Sequence, residues 1–201
     1  MVHLMKQHTY ESYRITSAYT DLPVTLDRVR QHLRNEDLNY DDEYVIGLIR
    51  GCAKTIEQHY GLSLLTQTYV ETHREFPGFS SRAIELRVHP IVAITSIQYL
   101  DADGTTKTWD SAEYYSGRYL NASFVAPKIG YEYPSTVADR AGAVTITYTA
   151  GFGTKASDVP NDIQTALLLM IGKLYTNRED PTQSLPSASD ALMSAYLRFH
   201  C

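Results

Sequence analysis

The hydrophobic period of the chain changes twice, and few architectures accommodate both changes. Over 45–60, Val45, Ile49, Cys52, Ile56 and Tyr60 return every helical turn, which marks a helix with one buried face. Between 67 and 150 the period falls to two. RAIELRV places Ile84, Leu86 and Val88 on one side, and AVTITYTAG sets Val144, Ile146 and Tyr148 against Thr145, Thr147 and Thr149. Such alternation, rich in β-branched residues, predicts antiparallel strands with one solvated face. After 159 the helical period comes back with Ile163, Ala166, Leu167, Met170, Ile171 and Leu174. A lone short helix is marginal in water, so the helices at the two ends must bury their stripes together. The expected fold is α+β: a helical bundle core formed by N- and C-terminal helices, with an inserted antiparallel β region.

Local signals place the boundaries. In PVTLDRVRQHLR, Thr25 can cap a first helix with Asp27 in its first turn, and Leu26, Val29 and Leu33 share a face. Gly61 can end the second helix, and the two are expected to form a hairpin across NEDLNYDDE. Glycine, proline and serine interrupt 116–142, where a long loop is expected. Pro160 belongs in the first turn of a third helix, and DALMSAYLRF closes the chain as a short helix using Leu192, Ala195, Tyr196 and Phe199. The predicted organisation is a polar arm or edge strand over 1–20, a helical core over 21–66 and 155–201, and an inserted β domain over 67–154.

Chemistry is hard to find in this sequence. The formal net charge of -5 gives no support to a grip on nucleic-acid phosphates. Sixteen of 201 residues are tyrosine, a side chain that suits cores and interfaces alike, so composition leaves its use open. Cys52 and Cys201 lie far apart and form no zinc or redox spacing; Cys52 reads as a buried thiol, and a reducing interior is expected. MVHLMKQHTYESYR lacks the apolar run of a signal peptide, and ALLLMIG at 166–172 is too short for a membrane span. Gly151 and Gly153 in AGFGTK match neither a Walker loop nor a dinucleotide fingerprint, and read as a sharp strand exit. Asp101, Asp103 and Gly104 read as a hairpin turn rather than a calcium loop. The histidines, His3, His8, His32, His59, His73, His89 and His200, form no metal motif, and no serine sits in a nucleophile elbow. No catalytic residue, cofactor or metal is expected. Asp41, Asp42 and Glu43 crowd a helix start, which the helix dipole favours; a basic partner surface is the alternative.

Taken in order, the segments resemble the head–tail connector (adaptor) proteins of tailed bacteriophages. The pieces are PVTLDRVRQHLR, DDEYVIGLIRGCAKTIEQHYGLSLLTQTY, IELRVHPIVAITSIQYLDADGTTKTWD, AVTITYTAGFG and VPNDIQTALLLMIGKLYTNRE, which span most of 22–180. GLSLLTQTY, the DADG hairpin and the TAGFG–VP–helix–NRE junction carry most of it. The resemblance implies structural work in a virion neck, with assembly in the host cytoplasm. Such proteins form a ring, commonly of twelve subunits, beneath the portal protein, and join it to a stopper or tail-completion protein. DNA crosses the channel without specific binding, and no membrane is involved. The C-terminal segment is then the expected portal contact, with Leu192, Tyr196 and Phe199 as its apolar anchors. Rival readings are a stopper or tail-completion protein, a small hydrolase whose site assembles in space, and a regulatory binding module.

Overall fold

The computed structural model describes residues 10–34, 41–77, 83–119, 121–137, 140–178 and 187–197. The chain is a mixed α+β fold in which N- and C-terminal helices flank a central antiparallel β region. It divides into two units: Met1–Ala18 with Gln67–Ala150, and Tyr19–Thr66 with Gly151–Cys201.

The second unit is helical. Helix α1 (Leu26–Leu33) starts at Thr25, whose hydroxyl accepts the Arg28 N–H at 3.3 Å, and stops at Arg34 in the left-handed region. Helix α2 (Asp42–Tyr60) ends at Gly61, with φ 64°. Helix α3 (Asn161–Thr176) follows a single 3₁₀ turn, Ala156–Asp158. Helix α4 (Ser187–Met193) runs into a second such turn, Ser194–Tyr196. Pro160 stands one position before α3 rather than inside its first turn. Val29, the α2 row from Val45 to Tyr60, and Ile163, Ala166, Leu167, Met170 and Ile171 close into one core. Each fully buried aliphatic side chain there contributes about 1.5–3 kcal/mol. α1 packs against α3 as well as α2, so the first two helices are part of a larger bundle rather than a free hairpin. Gln164 stitches this bundle. Its amide donates to the carbonyls of Ala156 and Val159, both at 2.8 Å, and its oxygen accepts from Arg28.

The first unit is built from strands. β1 (Tyr10–Ser17), β2 (Gln67–His73), β8 (Val144–Ala150), β4 (Ile91–Leu100) and β5 (Thr106–Thr108) form one sheet in that order, all antiparallel. β3 (Ile84–Leu86), β7 (Ala122–Pro127) and β6 (Tyr114–Tyr119) form a second. Tyr69, Ile97, Ile146 and Tyr148 from the large sheet share a core with Ile84, Leu86, Val125 and Tyr114 from the small one. Trp109 plugs it, with ring centroids 5.4 Å from Phe76, 4.9 Å from Tyr114 and 5.4 Å from Tyr133.

The sequence leaves 1–20 as an arm or edge strand and 116–142 as a loop. Residues 10–17 pair with β2 as an edge strand, and they show no apolar alternation because most of the strand is exposed on both faces. The opening part of 116–142 is the paired strands β6 and β7 instead of a loop, while the described residues from 128 to 142 hold no strand or helix. Gly117 looks like a strand breaker, but it lies opposite Phe124, whose ring would stand 2.8 Å from any Cβ there. The glycine is the seat of an aromatic ring across the strand pair.

Candidate assembly surfaces

The C-terminal element is held by its own unit. Met193 is buried, and Leu192 and Tyr196 are half-buried against the helical core. The Tyr196 hydroxyl donates to the Asp162 carboxylate, 3.0 and 2.9 Å from its two oxygens, and its ring meets Phe152 edge-on at 6.3 Å. The Tyr60 hydroxyl donates to Asp190 at 3.3 Å, and the Ser189 hydroxyl to the Ala166 carbonyl at 3.3 Å. Burial and the neighbouring carboxylates raise both tyrosines above the ordinary phenol range, so both remain donors at neutral pH. Leu192 and Tyr196 therefore have intramolecular roles; Phe199 lies outside the described residues.

The acidic start of α2 is largely neutralised in place. The Asp41 carboxylate accepts from Arg178 at 2.7 Å and from the Tyr175 hydroxyl at 2.9 Å. These two hydrogen bonds hold its carboxyl below the usual range. The Arg178 guanidinium also lies over the rings of Tyr44 and Tyr175, at 4.8 and 4.7 Å. Arg30 engages Asp42. Two of the three carboxylates thus clamp α2 to its neighbours, which leaves Glu43 the exposed acid of that run.

The turn residues are packed by backbone. Asp101 caps the β4–β5 turn by accepting the N–H groups of Asp103 and Thr105, at 3.0 and 2.9 Å, with Lys107 at 2.8 Å and Gly104 at φ 77°. That carboxylate holds its own chain. In the glycine loop, a Cβ on Gly151 would sit 2.5 Å from the Thr66 nitrogen, and one on Gly153 would sit 2.3 Å from the Asp158 carboxylate. Thr66 N–H donates to the Gly153 carbonyl at 2.7 Å. The loop is filled by chain, leaving no cradle for a phosphate.

One titratable cluster carries no signal in the sequence. The inward row of β2 is Gln67, Tyr69, Glu71 and His73, all buried. One Glu71 oxygen accepts from the Tyr148 hydroxyl at 2.9 Å and the Arg87 N–H at 3.0 Å; the other lies 3.0 Å from His73 Nε2. Tyr148 in turn accepts from Val88 N–H at 3.2 Å, so the network ties two strands to the 87–88 backbone. Burial beside Glu71 drives the Tyr148 phenol far up. Glu71 and Tyr148 are wholly enclosed, so no substrate reaches this group, and its work is structural. His89 is buried in the same unit, while His32 and His59 are exposed. His3, His8, His200 and Cys201 lie outside the described residues. Among the described residues no three metal-ligating side chains converge. Cys52 is buried in the helical core, which pushes its thiol up to about 12 and keeps it unreactive.

What the β unit offers a partner is its two outer faces. On the large sheet, β2 and β8 turn outward Thr68, Val70 and Thr72 beside Thr145, Thr147 and Thr149. Ser12 and Arg14 of β1 and Ala93, Ser96 and Gln98 of β4 extend that face by register. Several hydroxyls are satisfied within it: Ser12 and Thr72 are 2.8 Å apart, Thr16 donates to the Thr68 carbonyl at 3.3 Å, and Thr149 to the Ala93 carbonyl at 3.4 Å. On the small sheet, Tyr115, Phe124 and Tyr119 line the outer face with Gly117 and Glu85. Tyr115 and Tyr119 are 47% and 71% exposed, and Tyr115 meets Phe124 edge-on at 5.8 Å.

No protein-family model matches the sequence, and no curated protein shows significant similarity to it. Solved structures share its fold. A chain in the virion of a native gene transfer agent (GTA) particle superposes with a TM-score of 0.79 at 19% identity, covering 95% of this chain and 97% of that one. A chain in the neck of an empty GTA particle, computed with C6 symmetry, gives 0.77 at 20% identity with the same coverage. A chain in the neck of a native GTA particle, computed with C12 symmetry, gives 0.74 at 20% identity, again over 95% and 97%.

Proposed function

We propose that this chain is a structural subunit of a head–tail connector ring in a tailed phage or a phage-derived particle. The observation that carries the reading is fold likeness over nearly the whole of both chains, since 95% of this one superposes on 97% of a GTA virion chain. Two of the similar chains come from necks, one of them computed with twelvefold symmetry. A ring of about twelve copies beneath a portal protein, joined below to a stopper or tail-completion protein, is the assembly this supports. The helical unit, built from Tyr19–Thr66 and Gly151–Cys201, distinguishes this reading from a tail-completion protein built mainly of strands. The role is mechanical rather than catalytic, a reading supported by the sealing of the Glu71, His73 and Tyr148 cluster inside a core. DNA passes through the ring without being held.

Mass measurement of the purified protein across a concentration series, with negative-stain images of any large species, tests this. Closed rings with an open centre are expected, either from the protein alone or on addition of a cognate portal ring. A protein that stays monomeric and ignores that portal overturns the reading.

A further inference from the structure

We propose that neighbouring copies join head to tail through the β unit, the aromatic outer face of the small sheet on one copy seating against the hydroxyl face of the large sheet on the next. This deepens the ring reading and rests on it.

Three observations lead to a second copy as the occupant. First, the two faces lie on opposite sides of one shared core, since both sheets contribute to the same buried cluster. A closed ring needs two different patches on each copy, and opposite faces of one layer pair supply them. Second, the faces are complementary in charge. Among the described residues, Arg14 is the charged side chain on the outward register of β1, β2, β8 and β4, and Glu85 is the charged one on that of β3, β7 and β6. Depletion of charge with enrichment in tyrosine is the compositional mark of an interface centre. A positive and a negative group at otherwise neutral faces favour the unlike pairing over either like pairing. Third, the hydroxyl face is prepared for contact with protein. The hydroxyls of Thr16, Thr72 and Thr149 bond to sheet neighbours, so their methyls can be covered without stranding those donors.

Area fixes the kind of assembly. Four strands about 4.8 Å apart and seven residues of roughly 3.4 Å each give the hydroxyl face about 400 Å². That is about half of the ~800 Å² per partner of a standard interface. One junction alone is weak. Closing a ring adds one more junction than an open chain of the same copies has and leaves no face uncovered, so closure is favoured over free dimers.

Two lysine substitutions on outward-facing positions test the pairing: Thr147→Lys at a half-buried position in the centre of the hydroxyl face and Tyr119→Lys at an exposed one on the aromatic face. Thermal melts and Thr147→Val, which keeps shape and neutrality, control for folding. The native chain and Thr147→Val should form rings; each lysine variant should lose them, with association at least 30-fold weaker. An equal mixture of the lysine variants should yield one-to-one dimers after light cross-linking and nothing larger, because only one junction in the pair is intact. Rings from either lysine variant, self-dimers of one of them, or a mixture that stays monomeric overturns the head-to-tail pairing while the native ring stands. A second check reverses the charges: Arg14→Glu and Glu85→Arg should each weaken assembly, and the double variant should recover it. If the native chain forms no ring under any condition, the ring reading itself fails, which is a distinct result.

Discussion

Glu57 is a carboxyl whose ionisation opposes the fold. It sits in the last turn of α2, where burial lifts its carboxyl from 4.5 to about 7, although Leu64 N–H and the Tyr19 hydroxyl both donate to it. The unfolded chain releases this proton near 4.5 and the folded chain near 7. Stability from this group is therefore full below about 4.5, falls as pH rises towards 7, and is level above. The whole cost is about 3 kcal/mol at most, from roughly 1.4 kcal/mol per unit over the gap. Glu57→Gln keeps an acceptor for Leu64 and removes the charge. Its urea midpoint at pH 8 should correspond to a gain of about 1–2 kcal/mol, shrinking to nothing by pH 4; no gain at pH 8 would show that the charge is well solvated. Gly151 is sensitive for a steric reason. Its φ of 144° disfavours any side chain, and a Cβ would collide with the backbone of Leu65 and Thr66 at 2.5–2.6 Å. Gly151→Ala should cost roughly 2–4 kcal/mol, whereas Gly47→Ala on the open side of α2, where nothing lies within 4 Å, should gain about 0.5–1 kcal/mol. Equal melting temperatures for the two variants would contradict the packing described.

At the scale of elements, α4 is attached chiefly by its two tyrosine–carboxylate hydrogen bonds and by Met193. Tyr196→Phe removes only the donor to Asp162, and should cost about 1–2 kcal/mol because an ionised acceptor is left half-buried. Amide exchange should then speed up in α4 and the turn after it, and stay unchanged in the middle of α2. Uniform loosening would mean that the element is not a separable part. The same elements show what could be read from sequence and what could not. α2 and α3 were legible because their apolar rows lie against one core and both have clear ends. β8 was legible because Thr145, Thr147 and Thr149 face outward as their polarity suggests. The buried face of β2 was not, because its inward row is Gln67, Tyr69, Glu71 and His73, while Val70 points out. Partners far along the chain satisfy those buried polar groups, notably Tyr148 and the Arg87 backbone. Hydropathy along one strand cannot show a donor that arrives from another. β6 hid for a related reason, since Gly117 makes sense only with Phe124 across from it.

For the molecule as a whole, charge decides how it can meet a duplex. Holding DNA requires free cations, and each phosphate neutralised steepens the salt dependence of binding by about 0.9 in log K per log of salt. The chain has 18 Lys and Arg against 23 Asp and Glu. Arg30, Arg74, Lys107 and Arg178 are already in ion pairs, so the supply for phosphates is smaller than the count. The outer face of the large sheet adds only Arg14 over β1, β2, β8 and β4 among the described residues. A surface of this kind has little with which to grip a polyanion. Native protein, as monomer or as ring, should therefore fail to retard a short duplex in a gel even at about 50 mM salt, where weak phosphate contacts are strongest. A retarded band that fades steeply with added salt would reveal a grip on phosphates and would count against the proposal that DNA passes this protein without being held.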